Sequence, residues 1–198
     1  MSSPAPLPVT ALPYGVRDCK ITLYSDAAGT TLGSVSIDLP NMQTFSFSET
    51  EEFQELRGDD RVVTTRGQGA QVEWSIEAGG VALRVWAALS GGEIIESGTT
   101  PNRKVIIRKK SSDNRPFFRL EGQAISDSGG DVHAIVYRCR SNSNLEGSFS
   151  DGEFFITSAS GLGLPLLDED FDLLYDFVQN ETRTAIPTTP VANPVAGD

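Results

Sequence analysis

The chain holds one histidine and two cysteines, Cys19 and Cys139, which lie far apart and form no C-x-x-C pair. That inventory argues against a zinc centre. No apolar run approaches the ~18 residues needed to cross a bilayer. The opening residues, Met1-Ser-Ser-Pro, have neither the basic stretch nor the apolar stretch of a signal peptide. Positive charge is scarce: 16 Lys and Arg stand against 27 Asp and Glu, leaving a net charge of −11. A protein that grips nucleic acid needs a basic surface to release counterions. This chain is built to repel phosphate rather than hold it. The expectation is synthesis in the cytosol, with both thiols buried in strands.

At 198 residues the chain fits one domain. A domain of that size buries roughly 70% of its extended surface without a metal or disulfide staple. Its 19 Gly and 11 Pro predict many turns and a β-rich fold. Residues 1–13 carry four prolines and no charge, and residues 182–198 are again rich in Pro and Thr. Proline fixes φ and removes a backbone donor. Residues 1–14 and 182–198 are therefore expected to be extended arms around a domain at 15–181, either flexible or ordered by docking on a neighbour.

Within that domain, apolar and polar residues alternate at many places. Ile21 and Leu23, then Leu32, Val35 and Ile37, flank a turn at Asp26–Thr30 and predict a hairpin. Phe45 and Phe47 mark another strand. Val72, Trp74 and Ile76 alternate with Glu73, Ser75 and Glu77, a strand with one apolar and one acidic face. Ala82, Val85, Trp86 and Leu89 fall at helical spacing and predict one helix over about 80–90. Trp86 is its anchor and Gly91-Gly92 its stop.

In Asp131–Arg140, Val132, Ala134 and Val136 share one face; His133, Ile135, Tyr137 and Cys139 share the other. Both faces are largely apolar, so this strand should be central. A further strand is expected at about 149–158 with Phe154 and Ile156 inward. About nine strands and one helix predict a mainly β fold. It would be an antiparallel β-sandwich or partly closed barrel with one flanking α-helix.

Charge is segregated along the chain. Residues 49–60 hold six acids, Glu49, Glu51, Glu52, Glu55, Asp59 and Asp60, against Arg57 alone. They predict a projecting acidic hairpin, turning at Arg57–Asp60. Residues 103–119 carry net +6, including Arg108, Lys109 and Lys110. Residues 144–198 carry net −9, including Asp168, Glu169 and Asp170. The blocks either pair within one chain or meet between copies, where opposite charge sets register and suppresses wrong pairings. Head-to-tail contacts of that kind give rings or open stacks.

Motifs for chemistry are few. Asp131 lies near His133, but no nucleophile elbow exists for a serine hydrolase. Asp168, Glu169, Asp170 and Asp172 lack the EF-hand spacing and its central glycine. Gly67–Gly69 and Gly161–Gly163 are too short to cradle phosphate. Arg57-Gly58-Asp59 is a turn rather than an adhesion motif. No catalytic, metal or cofactor site is expected.

Several segments in order resemble the major tail tube proteins of long, flexible, non-contractile-tailed bacteriophages. They are Leu39–Glu49, Glu55–Asp60, Trp74–Gly80, Glu121–Asp131 and Gly152–Gly161. The resemblance runs from about Tyr14 to Ile186. It implies a sandwich-like fold with a flanking helix. Six copies would form a ring whose inner sheets join into one barrel, and rings would stack into a tube carrying double-stranded DNA into the host. The long hairpin and the arms would bridge rings, through residues 49–61, 1–15 and 181–198.

The implied partners are other copies of the chain, a tape measure protein and tail terminator or initiator proteins. The implied location is the virion tail, after synthesis in the host cytoplasm and without a membrane stage. The immunoglobulin-like domain that some relatives append is not expected here. A negative lumen wall would let DNA slide without sticking. Its candidates are Glu73 and Glu77, or a face carrying Arg119, Glu121 and Gln123. Inter-subunit candidates are Glu51, Glu52, Glu55, Arg57, Asp59, Asp60, Arg108, Lys109, Lys110, Asp168, Glu169 and Asp170. Two other functions remain open: another ring-forming virion or secretion-tube component, and a carbohydrate-binding or hydrolytic β-sandwich.

Overall fold

The computed structural model describes residues 10–58, 61–167 and 172–194. The described residues form ten strands and one helix. In chain order these are β1 (Pro13–Leu23), β2 (Ile37–Asp38), β3 (Met42–Gly58), β4 (Arg61–Gly79), α1 (Leu83–Ser90), β5 (Glu93–Ser97), β6 (Lys104–Arg108), β7 (Phe118–Ser126), β8 (Asp131–Ser141), β9 (Ile156–Gly163) and β10 (Tyr175–Asn180). The fold is mainly β, antiparallel throughout, with one helix.

One sheet runs in the order β2-β1-β7-β8-β9-β4-β3, while β5 and β6 pair only with each other. Strand β8 is the point of division. Its first half, Asp131–Val136, pairs with β10, and its last residues, Cys139–Ser141, pair with β9. Between them Arg138 takes a φ of 39°, which interrupts the ladder and bends the strand. The leaf β9-β4-β3 can therefore fold over the leaf β2-β1-β7-β8. Across the gap Trp74 of β4 meets Phe118 of β7 edge-on, with ring centroids 5.4 Å apart. The ring of Phe45 on β3 lies where a side chain on Gly122 of β7 would stand. Cys19, Ile21, Val72, Ile76, Leu120, Val136, Cys139 and Ala159 complete this core.

The bend at Arg138 resets the side-chain alternation. Tyr137 packs on the outer face with Tyr24 and Leu166, whereas Cys139 joins Val136 inside. Strict alternation had placed Cys139 with Tyr137. Both thiols are free and fully buried, and burial pushes their pKa values up.

The helix ends as its sequence predicts. Gly91 has φ 78° and donates its N–H to the Ala87 carbonyl at 2.7 Å. Its buried stripe is Val85, Ala88 and Leu89, not one anchored by Trp86. The Trp86 ring sits at the rim against Phe155, and its Nε1 donates to Thr157 Oγ1 at 3.1 Å.

Strand β9 begins later than expected and runs in the opposite phase. Phe154 is 97% exposed, and Ile156 faces outward. The inward positions are Thr157, Ala159, Gly161 and Gly163, because the Trp74 indole and β8 leave room there only for small side chains. Strand β10 was not anticipated; its Val178 and Phe177 lie on a partly exposed edge. The first leaf also begins earlier than the arm boundary at residue 14. Pro13 and Tyr14 pair with β7, and Leu12 N–H donates to Ser126 Oγ at 2.9 Å. Among the described residues no helix is long and apolar enough to cross a membrane.

A Cβ at Gly161 would run into the Arg140 carbonyl and stand 2.6 Å from the Trp74 ring. Gly161→Ala is expected to cost about 1–3 kcal/mol, read as a lowered denaturant midpoint with an unchanged slope.

Candidate functional site

Among the described residues the informative features are surfaces. The first is the outer face of β3, β4 and β9. Strand register places Thr44 beside Glu77, Ser46 beside Ser75 and Ser48 beside Glu73. On the other side Glu77 meets Ser158, Ser75 meets Ser160 and Glu73 meets Leu162. Thr44 Oγ1 donates to Glu77 Oε2 at 3.2 Å, and the Ser46 and Ser75 hydroxyls lie 2.7 Å apart. Glu73 and Glu77 are exposed. These paired positions hold hydroxyls, two carboxylates and one Leu, and no Lys or Arg.

The second surface is the hairpin of β3 and β4. Strand β9 pairs with β4 only over Val72–Gly79, so beyond Val72 the hairpin continues as a two-stranded ribbon. Glu51, Glu52, Glu55 and Arg57 are all exposed on it. Arg57 Nη2 pairs with Glu55 at 2.8 Å. Phe53, Leu56, Val62 and Val63 are 45–63% exposed, an unusual apolar load for a ribbon with no third strand. Asp59 and Asp60, expected at its tip, lie outside the described residues, as do Asp168, Glu169 and Asp170.

The third surface is the β5–β6 pair with its basic residues. Glu96 binds both Arg84 and Arg103. Lys109 is not free: Nζ donates to the Ser90 carbonyl at 2.6 Å, closing the C-terminal turn of α1, and to the Asp113 carbonyl at 2.7 Å. Arg115 is also committed within the chain, to the Ser141 and Ser143 carbonyls. Arg108 and Lys110 are exposed.

The fourth surface corrects an expectation. Glu121 does not face solvent. It is buried together with Lys20, Arg119, Gln123, Asp131 and His133 on the outer face of β1, β7 and β8. The cover is the chain's own C-terminal segment. Arg119 Nη1 donates to the Val191 carbonyl at 2.8 Å. Gln123 Nε2 donates to the Thr184 carbonyl at 2.9 Å, and Thr184 N–H donates to Asp131 Oδ2 at 2.8 Å. Ser36 N–H donates to the Thr188 carbonyl at 2.9 Å, and Ile186 is buried. Residues 184–193, expected as a free or neighbour-docked arm, thus lie on their own sheet. Proline removes donors from this segment, so it is held by scattered bonds, most of them to side chains of the sheet, rather than by a ladder.

Beneath it His133 stands between two carboxylates, Nε2 3.3 Å from Asp131 and Nδ1 3.7 Å from Glu121. Glu121 raises the imidazole pKa, burial opposes the rise, and Asp131 adds to it; the net shift is upward. For Asp131, burial disfavours the charged form. N–H donation from Thr184 and from the Asn180 and Gln123 amides, together with His133, outweighs burial and holds its pKa below the ordinary value. With carboxylates at both nitrogens, His133 is a charge-balancing group rather than a base for a nucleophile.

Compared with protein-family models the chain finds no match, and compared with curated proteins it finds none.

The two shifts set a pH profile. His133 is raised, so its contribution is complete below the ordinary value near 6.5 and is lost as pH climbs through the raised value. Asp131 is lowered, so its contribution is present above its ordinary value and is lost as pH falls through the depressed one. Thermal melting between about pH 5.5 and 8.5 is expected to decline on the alkaline side. His133→Gln should flatten that decline, with Glu121, Asp131 and Gln123 still facing the site. Separately, Lys109→Glu is expected to cost about 0.5–1 kcal/mol of stability by reversing the charge at the C-terminus of α1, measured by denaturant unfolding.

Proposed function

We propose that the chain is a self-assembling structural protein of a phage tail tube, forming rings that stack into a conduit for double-stranded DNA. The observation that carries this proposal is the cation-free outer face where Thr44–Ser48 of β3 and Ser158–Leu162 of β9 flank Glu73–Glu77 of β4, set beside a sheet edge. Among the described residues strand β3 pairs with β4 alone. Its other edge has no strand partner among the described residues; toward the ribbon end it is charged and bulged, but Thr44–Ser48 carry no charge, proline or bulge. Closing a ring of copies removes an edge of this kind. It would also bring copies of the hydroxyl and carboxylate face together around a channel.

The chemistry of that face suits passage rather than binding. Glu73 and Glu77 repel phosphate, and the short Ser and Thr side chains offer no cation for a backbone to rest on. The net charge of −11 acts in the same direction. The resemblance of several segments, in order, to non-contractile tail tube proteins is the ground for proposing six copies per ring. It also supports contact with a tape measure protein and with terminator or initiator proteins, and a place in the virion tail. Glu121, covered by the C-terminal segment, has no part in the channel proposed here.

Negative-stain microscopy of the purified protein over a concentration series is expected to show rings or hollow rods with an open centre. Solid aggregates, or a monomer at every concentration both alone and with a tail initiator present, would end the proposal. Glu73→Lys with Glu77→Lys is expected to leave rings intact and to make them retain DNA in a salt-dependent way. Rings that stay indifferent to DNA would move the channel to another face.

A further inference from the structure

The described ion pairs leave the two oppositely charged blocks of the sequence unconnected. Lys20 pairs with Asp18 and Asp38, Arg57 with Glu55, Arg84 and Arg103 with Glu96, Arg119 with Glu121, and His133 with Glu121 and Asp131. None of these joins a cation of residues 103–119 to a carboxylate of residues 144–194. Among the described residues, the cations of 103–119 whose side chains have no partner are Lys104, Arg108 and Lys110. They are exposed, and Lys104 and Arg108 stand on either side of Ile106 on one strand face, where Ile106 is 41% exposed.

The opposite patch is the segment 142–155 between β8 and β9, which holds neither helix nor strand. A structureless loop of this length inside a compact domain is usually functional. Its base is pinned by Arg115 donating to the Ser143 carbonyl at 2.7 Å. Phe155 sits between Trp86 and Phe149, with ring centroids 6.1 and 5.4 Å away. Held in this way, the loop presents Phe149 at 92% and Phe154 at 97% exposure. Among them stand the exposed carboxylates of Glu146, Asp151 and Glu153.

We infer that the segment 144–154 of one copy docks on the β6 face of a second copy. Its Phe149 and Phe154 would cover Ile106, which shares a strand face with Lys104 and Arg108, and Glu146, Asp151 and Glu153 would meet Lys104, Arg108 and Lys110. Both patches are amphipathic, their charges are opposite, and no described ion pair uses any of these six charged side chains. Because the two patches differ, the contact is head-to-tail and propagates around a ring or along a stack. It rests on the self-assembly proposed above and names a contact within it.

Two charge-reversed variants test the contact. One carries Lys104→Glu, Arg108→Glu and Lys110→Glu; the other carries Glu146→Lys, Asp151→Lys and Glu153→Lys. All six side chains are exposed, so both variants are expected to keep the wild-type melting temperature. Sedimentation velocity over a concentration series should show salt-sensitive association of the wild type. Each variant alone should associate at least about tenfold more weakly, and an equimolar mixture should recover association, because each patch then finds its complement. Phe154→Ser should weaken association without lowering the melting temperature.

Wild-type association by either variant alone, or a mixture no better than its parts, would overturn the contact. So would a wild type that stays monomeric throughout. Microscopy separates this failure from that of the tube. Association rescued in the mixture but giving particles without a channel removes the tube and keeps the contact. Hollow rings formed by either variant alone keep the tube and remove the contact.

Discussion

The structure depends on the change of partner along β8. A single antiparallel sheet cannot enclose a core unless it bends, and the bend is made where β8 leaves β10 and takes up β9. Arg138 at φ 39° breaks the ladder at that point. Its side chain is held on the outer face, with Nε donating to the Ala27 carbonyl at 2.9 Å and the guanidinium over the Phe117 ring. The side chain thereby compensates for a backbone conformation that an L-residue rarely adopts. Once the leaves face each other, Trp74 and Phe118 meet, and the small residues of β9 become necessary rather than incidental.

The two leaves carry polar outer faces with different fates. That of β3, β4 and β9 stays open to solvent, and its hydroxyls and carboxylates satisfy one another or water. That of β1, β7 and β8 is charged and yet covered. Burial of charge is tolerated there because nearly every group has a partner: Lys20 between Asp18 and Asp38, Asp131 with four donors, Arg119 with the carbonyl of Val191. A proline-rich segment suits this role. It presents carbonyls to cationic donors while asking for few acceptors in return.

Much of the fold was legible in the sequence. The alternation around Trp74 placed Glu73 and Glu77 outside correctly. The glycine pair after Leu89 ended the helix where it ends, and the acidic run before Arg57 became the projecting ribbon. Segment 149–158 misled because its large side chains, Phe154 and Phe155, look like core. The strand that pairs with β4 is instead built from Thr, Ala, Ser and Gly, residues whose pattern carries little hydrophobic signal. Strand β10 was hidden for a related reason: it is a short edge, half exposed, with no clean alternation. Lys109, a candidate for contact between copies, also donates to two carbonyls of its own chain, and partners of that kind leave no trace in a charge count.

The sequence by itself determined the strand-rich class, the single helix, the burial of both cysteines and the separation of charge along the chain. These follow from local periodicity and composition. Only the tertiary structure decided which polar face is open and which is covered, on which side Cys139 lies, and that no described ion pair joins the two charged blocks. The physical reason is the same in each case. A strand's own pattern states that it has two faces, but what lies across each face is set by residues far away in the chain. Glu73 and Glu121 have the same local pattern; one faces solvent and the other lies under a segment that begins some 60 residues later.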